Sequence, residues 1–151
     1  MIESDGRRPR IYVQYGALPL RQGREGITEV MLVTSRNSRR WIIPKGWPIK
    51  GAKPHGTARR EALEEAGLVG RIGKRSLGSF RYRKGLRQGR AITCEVHVFP
   101  LDVERQRKRW RERDQRETRW FTLDLAATTV QEPELRQLIV QLSGHMCPAF
   151  R

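Results

Sequence analysis

Apolar and β-branched residues gather along "RIYVQYGALPL" (10–20) and "TEVMLVTSR" (28–36), and the intervening "RQGREG" has the composition of a loop. The two runs predict a hairpin. A third short run, "RRWIIP" (39–44), is closed by Pro44, and "KGWPIKGAKPHG" (45–56) carries too much Gly and Pro for regular structure. That stretch predicts a long, shaped loop. From Thr57 to Ala66 the period changes: Ala58, Ala62 and Ala66 recur every fourth residue, Leu63 extends their face, and Gly67 suits the end of a helix. Two more strands are predicted at "RSLGSFRYRK" (75–84) and "AITCEVHVFPLD" (91–102), paired around "GLRQGR". "TRWFTL" (118–123) reads as a further strand, and "EPELRQLIVQL" (132–142) as an amphipathic helix with Pro133 in its first turn. This order predicts an α/β (α+β) fold, a mixed β-sheet sandwiched by helices. The 151 residues show no repeat and no linker, so one domain is expected over 10–151 behind a flexible segment 1–9.

Charge adds the first hint of chemistry. Thirty-one Lys and Arg against sixteen Asp and Glu give a formal net charge of +15, a field that attracts polyanions. Of the 31 basic residues 25 are Arg, a bias that a G+C-rich genome also produces, so charge alone does not select a function. No run approaches the roughly 18–20 apolar residues that span a bilayer, and the first ten residues lack a secretory core, so a cytoplasmic protein without a membrane partner is expected. Cys94 and Cys147 lie far apart without C-x-x-C spacing, and His55, His97 and His145 have no metal-ligand spacing; neither set is given a role. The run "ERQRKRWRERDQRETR" (104–119) holds twelve charged residues in sixteen. It reads either as a nucleic-acid surface, with Trp110 stacking among arginines, or as a solvated, mobile connection.

Against this cationic background, "ARREALEEAGL" (58–68) places Glu61, Glu64 and Glu65 at helical i, i+3 and i+4 spacing, where like charges repel. Basic neighbours such as Arg59 and Arg60 could neutralise them, or a divalent cation could; hard Mg²⁺ takes carboxylates and keeps positions for water and phosphate oxygens. The wider stretch "GWPIKGAKPHGTARREALEEAGL" (46–68) resembles the Nudix box, G-x5-E-x7-R-E-U-x-E-E-x-G-U with U a bulky aliphatic. Gly46, Arg60, Glu61, Glu64, Glu65, Gly67 and Leu68 fall in register. Ala52 stands where the first glutamate is usual and Ala62 where a larger aliphatic is, while E-x-x-E-E is intact. The flanks "VTSRNSRRWIIPKG" and "RETRWFTL" look like the branch that cleaves diphosphoinositol polyphosphates and dinucleoside polyphosphates.

The resemblance implies the Nudix α/β/α sandwich, with the box as loop, helix and loop, and a pyrophosphohydrolase using Mg²⁺ or Mn²⁺. It implies Glu61, Glu64 and Glu65 as metal ligands, with Glu61 or Glu65 partnering the attacking water. Arg60 would orient a glutamate through a two-pronged pair. A backbone carbonyl of Lys45 or Gly46, and a carboxylate from Glu112 or Glu117, would complete the metal shell. Arg36, Arg39, Arg40, Lys45, Lys50 and Lys53 are the cations expected to grip an anionic polyphosphate substrate. Trp41 and Trp47 could stack on a base or pack in the core. Two other readings stay open: RNA 5′ ends or nucleoside triphosphates as substrates, and a catalytically silent nucleic-acid-binding or regulatory module, for which Ala52 and the charge speak.

Overall fold

The computed structural model describes residues 10–143; the segment 1–9, His145 and Cys147 lie outside them. The described strands are β1 (Ile11–Gln22), β2 (Thr28–Thr34), β3 (Trp41–Ile42), β4 (Lys45–Gly46), β5 (Leu68–Ile72), β6 (Gly78–Gly85), β7 (Ala91–Gln106) and β8 (Thr118–Thr122). All join one mixed sheet, with β3, β2, β1, β7 and β5 as its main path and β4, β6 and β8 pairing β1, β7 and β2. The helices are α1 (Pro54–Ala66), α2 (Leu123–Thr129) and α3 (Pro133–Ser143). The expected sandwich around a mixed sheet is borne out.

The expected first hairpin forms only at its turn end. β1 meets β2 antiparallel through Leu20, Arg21 and Gln22, whereas Ile11 to Leu20 run parallel to Thr93 to Asp102 of β7. Pairing with the long β7 ladder buries Ala17 and Leu18 completely, which a two-stranded hairpin could not do. Where β1 and β2 part, the segment 44–46 enters: Tyr15 and Gly16 pair with β4, and the Ala17 N–H donates to the Pro44 carbonyl at 2.9 Å. The stretch expected to be wholly loop thus begins as a two-residue strand. The hairpin of β6 and β7 forms as expected, Gly78–Gly85 against Val98–Ala91.

Strand alternation sends two apolar sets to opposite faces. Leu18, Leu20, Val30, Leu32, Val96 and Val98 pack with Phe80, Phe121, Leu135 and Ile139 under α2 and α3. Ala17, Met31, Val33, Phe99 and Leu101 pack under Ala58, Ala62 and Ala66 of α1. Helix α1 begins at Pro54, three residues before the expected start, because proline at the first turn sacrifices no helical hydrogen bond. It ends at Gly67, whose φ of 69° is left-handed and whose N–H reaches the Leu63 carbonyl at 3.0 Å. A Cβ on Gly67 would also stand 2.3 Å from the Trp110 ring. The buried face of α1 is Thr57, Ala58, Ala62, Glu65 and Ala66; Leu63, expected to extend it, is only half-buried. Strand β5 and helix α2 were not anticipated: β5 follows α1 without a turn and carries Gly70, and α2 is capped by Thr122, whose hydroxyl accepts from the Leu125 N–H at 3.3 Å.

Candidate active site

The parting of β1 and β2 opens a cleft of about 590 Å³, walled by α1, β4, β6, the loop after β2 and the arginine-rich connector before β8. Its two ends carry opposite charge.

The acidic end holds Glu61, Glu65 and Glu112. Glu65 is 3 % exposed; its Oε2 accepts from the Lys45 backbone N–H at 3.3 Å, while its Oε1 has no hydrogen-bond partner. The Arg116 Nη1 lies 3.7 Å from that Oε1, close enough for attraction but not for a hydrogen bond. Burial pushes the Glu65 carboxyl up to about 8 despite the pull of Arg116, with the Glu61 charge adding to the rise. Burial, then Glu64 and Glu112, push Glu61 up to about 7, although a hydrogen bond with Glu65 opposes this. A Cβ on Gly46 would sit 2.5 Å from the Glu61 carboxylate, so only glycine lets the β4 backbone lie against it.

The three glutamates do not project together as expected. Glu64 turns aside to Arg60 Nε at 3.3 Å and Arg111 Nη1 at 3.5 Å. Arg60 makes that single contact, not a two-pronged pair, and is largely exposed. Among the described residues no three His, Cys, Asp or Glu side chains close around one point. Of the two carboxylates expected from outside the box, Glu112 lines the cleft and accepts from Arg116 Nε at 2.9 Å; Glu117 stays outside, its backbone bonded to Thr34.

The basic end is built on Lys45. Its Nζ lies 4.7 Å from the Tyr82 ring centre, and Tyr82 donates its hydroxyl to the buried Gln14 Oε1 at 2.7 Å. Burial lowers the Lys45 pKa to about 8; Glu65 resists that shift and Lys84 adds to it. Arg40 donates from Nη1 to Gln131 Oε1 at 3.0 Å and faces Glu132 Oε2 at 3.4 Å; Arg36 donates to Gln115 Oε1 at 3.2 Å. Arg36, Arg40 and Lys45 therefore reach the cleft as expected, whereas Arg39, Lys50 and Lys53 are not in its lining. Arg39 points to the Gln115 carbonyl at 3.3 Å. Trp41 packs on Phe121 with ring centres 5.2 Å apart, while Trp47 lines the cleft, 44 % exposed.

Sequence reasoning missed Arg83, Lys84 and Arg116. Arg83 and Lys84 extend the basic end from β6 and form no ion pair among the described residues. Lys84 was readable, since it shares the strand face of Tyr82 two residues away; Arg83 falls on the alternate face and was not. Arg116 was hidden within a run in which twelve of sixteen residues are charged. That run is not a loose connection: β7 continues to Gln106, the Arg107 N–H donates to the Gly67 carbonyl at 2.8 Å, and the Glu112 N–H to the Glu64 carbonyl at 3.0 Å. Arg116 Nη1 then reaches the Thr34 carbonyl at 3.0 Å, tying the connector to β2.

A three-layer sandwich with a carboxylate-bearing helix at the split between two strands defines the class. The chain belongs to the NUDIX domain family, whose model matches residues 13–142. It is 28% identical over 123 residues to "Nudix hydrolase 4" of Arabidopsis thaliana, covering 82% of this chain and 58% of that protein. It is 34% identical over 106 residues to "Diphosphoinositol polyphosphate phosphohydrolase 3-alpha" of Mus musculus, covering 68% of this chain and 60% of that protein. The chain thus spans less than two thirds of either relative. Among solved structures, the Ap4A hydrolase of C. elegans superposes with a TM-score of 0.65 at 18% identity, covering 91% of this chain and 100% of that one, which shows the shared fold. Relatives named for the chloroplast and the mitochondrion also match, so family membership fixes no compartment.

Proposed function

We propose that this chain hydrolyses a phosphoanhydride bond in a highly phosphorylated small molecule, a dinucleoside polyphosphate or a diphosphoinositol polyphosphate. The observation that carries the reading is the bipolar cleft, acidic at Glu61, Glu65 and Glu112 and basic at Lys45, Lys84, Arg83 and Arg40. The names of the matched mouse and worm proteins point to the same substrate classes.

The residues at the acidic end fit a divalent cation. The unpartnered buried Oε1 of Glu65, and two carboxyls pushed up by burial and by each other's charge, mark a place where a cation would be stabilising. All the donors are oxygen, which suits Mg²⁺ or Mn²⁺. With Glu64 turned aside, Glu61 and Glu65 would be the side-chain ligands, beside the Gly46 backbone and with Glu112 in reserve; Mg²⁺ commonly needs only one or two carboxylates plus waters and substrate oxygens. Such an ion supplies charge neutralisation on phosphate oxygens and a more acidic bound water.

The chain's own residues do the remainder. Glu61 or Glu65 accepts the proton of the attacking water as its oxygen bonds to phosphorus and the bridging oxygen leaves with the departing phosphate. Arg116, 9 % exposed and held by Thr34 and Glu112, fixes the field at Glu65. Lys45, Lys84, Arg83, Arg40 and Arg36 hold the remaining phosphates. The test is phosphate release with and without Mg²⁺ from dinucleoside polyphosphates, diphosphoinositol polyphosphates, nucleoside triphosphates and triphosphorylated RNA, with Glu65→Gln as control. Turnover of either of the first two classes, lost in the variant, supports the reading; turnover of RNA or triphosphates alone replaces its substrate, and no turnover of any class overturns it.

A further inference from the structure

Within the connector one residue behaves unlike its neighbours. From Glu104 to Arg109, and again at Arg111, every residue is exposed, yet Trp110 is half-buried. Its indole lies over Gly67, where a Cβ would stand 2.3 Å from ring carbon Cε3, and its Nε1–H donates to the Glu65 carbonyl at 3.2 Å. The Arg113 guanidinium lies 5.6 Å from the ring centre. Two backbone bonds flank the indole, from Arg107 to the Gly67 carbonyl and from Glu112 to the Glu64 carbonyl. A tight turn follows, in which the Arg113 and Gln115 N–H groups donate to the Trp110 and Glu112 carbonyls. That turn delivers Glu112 and Arg116 to the cleft.

We propose that Trp110 is a positioning residue for the reaction: keyed onto Gly67 and bonded to the Glu65 carbonyl, it sets where Glu112 and Arg116 stand relative to Glu61 and Glu65. The inference rests on the functional reading of the cleft. The Glu65 carbonyl that Trp110 engages belongs to the last turn of α1, where the helix leaves its acceptors unsatisfied. One contact therefore both closes the helix that carries Glu61 and Glu65 and anchors the segment that carries their two charged neighbours. The alternative is that the indole only covers apolar surface and contributes stability alone.

Trp110→Phe keeps a ring on Gly67 and removes the N–H donor; Trp110→Leu removes the ring as well. Both are assayed well below their melting temperatures, on protein shown to be folded by circular dichroism. Because misplacing a catalytic constellation costs up to about 100-fold, kcat should fall roughly tenfold in Trp110→Phe and further in Trp110→Leu, with KM within about twofold. In a Glu112→Gln background, Trp110→Phe should cost little more, since coupled residues are not additive. A second readout needs no turnover: the rise in melting temperature on adding Mg²⁺ without substrate should be smaller in Trp110→Phe than in the parent. Folded variants that melt earlier but keep the parent's kcat, and its Mg²⁺-induced rise, overturn the proposal. Full additivity with Glu112→Gln also overturns it. A parent with neither turnover nor Mg²⁺ stabilisation overturns the reading of the cleft itself, and the proposal with it.

Discussion

Under α2 and α3 the sheet is filled by Leu18, Leu32, Phe80, Leu135 and Ile139, none more than 2 % exposed. Under α1 the helix offers only Ala58, Ala62 and Ala66 to the sheet, and the one long side chain it buries is the carboxylate of Glu65. Alanine lets the helix lie close to Ala17 and Phe99, so the Glu65 stem starts deep and its carboxylate reaches the floor of the cleft. Ala62, which departs from the larger aliphatic of the box, takes part in this close approach. One face concentrates stability; the other accepts a buried carboxyl, one of whose oxygens has no hydrogen-bond partner, where chemistry is proposed. The two faces should therefore respond in opposite ways to substitution.

The largest effect is expected at Glu65. Glu65→Gln keeps the volume and removes the proton acceptor, so kcat should fall by roughly 10²- to 10⁴-fold, while the metal-free protein melts no lower than the parent at pH 8. On the other face, Leu135→Ala leaves a cavity and should destabilise by about 2–5 kcal/mol in denaturant unfolding, with kcat per folded molecule unchanged. If Glu65→Gln unfolds the chain, or Leu135→Ala lowers kcat at full folding, the division between the faces is lost.

How legible these faces were in the sequence differs for physical reasons. The apolar face follows from period-2 and period-3.6 patterns, and its strands and α3 stand where those patterns put them, within a few residues. The box is legible because seven fixed positions in register leave little room for chance, and Glu61 and Glu65 do meet in the cleft. What periodicity could not supply was direction. Spacing alone grouped Glu64 with its neighbours, whereas two nearby arginines draw it away. Nor does spacing mark which basic residues reach a cleft whose shape depends on how β1 divides its pairing between β2, β4 and β7. The connector was least legible because its charge pattern is that of a solvated segment, whereas the docking of Trp110 and the bonds from Arg107, Glu112 and Arg116 hold it against α1 and β2.

The same contrast has a pH signature. Glu61 and Glu65 are raised from 4.5 to about 7 and about 8, so the metal-free folded form binds more protons than the unfolded one in that window. Stability present below about pH 4.5 is lost as pH climbs through those values. Lys45 is lowered from 10.5 to about 8, so its contribution has the opposite sense, present above pH 10.5 and lost as pH falls through 8. The amount by which Glu65→Gln outmelts the parent, followed from pH 4.5 to 10.5 without metal, should grow as pH rises and level off above about pH 8. Adding Mg²⁺ should shrink it, because the cation takes over the compensation of the carboxylates. A difference that is flat with pH would show that burial does not perturb these groups.

The smallest effect is expected at the basic end, where no buried group depends on the side chain. Lys84 is half-buried, lines the cleft and crowds Lys45 without an acidic partner among the described residues. Two like charges held together are favourable when an anion sits between them, so Lys84→Met should relieve repulsion in the free protein and weaken substrate binding. A phosphate contact of about 1.4 kcal/mol corresponds to a tenfold rise in KM, with kcat little changed. The rise should grow with the number of phosphates on the substrate. Lys50→Met and Lys53→Met, outside the cleft lining, should move KM less than twofold when tested beside it. Equal effects at all three lysines would mean that the whole cationic surface attracts the substrate, and that the basic end of the cleft is not a binding site of its own.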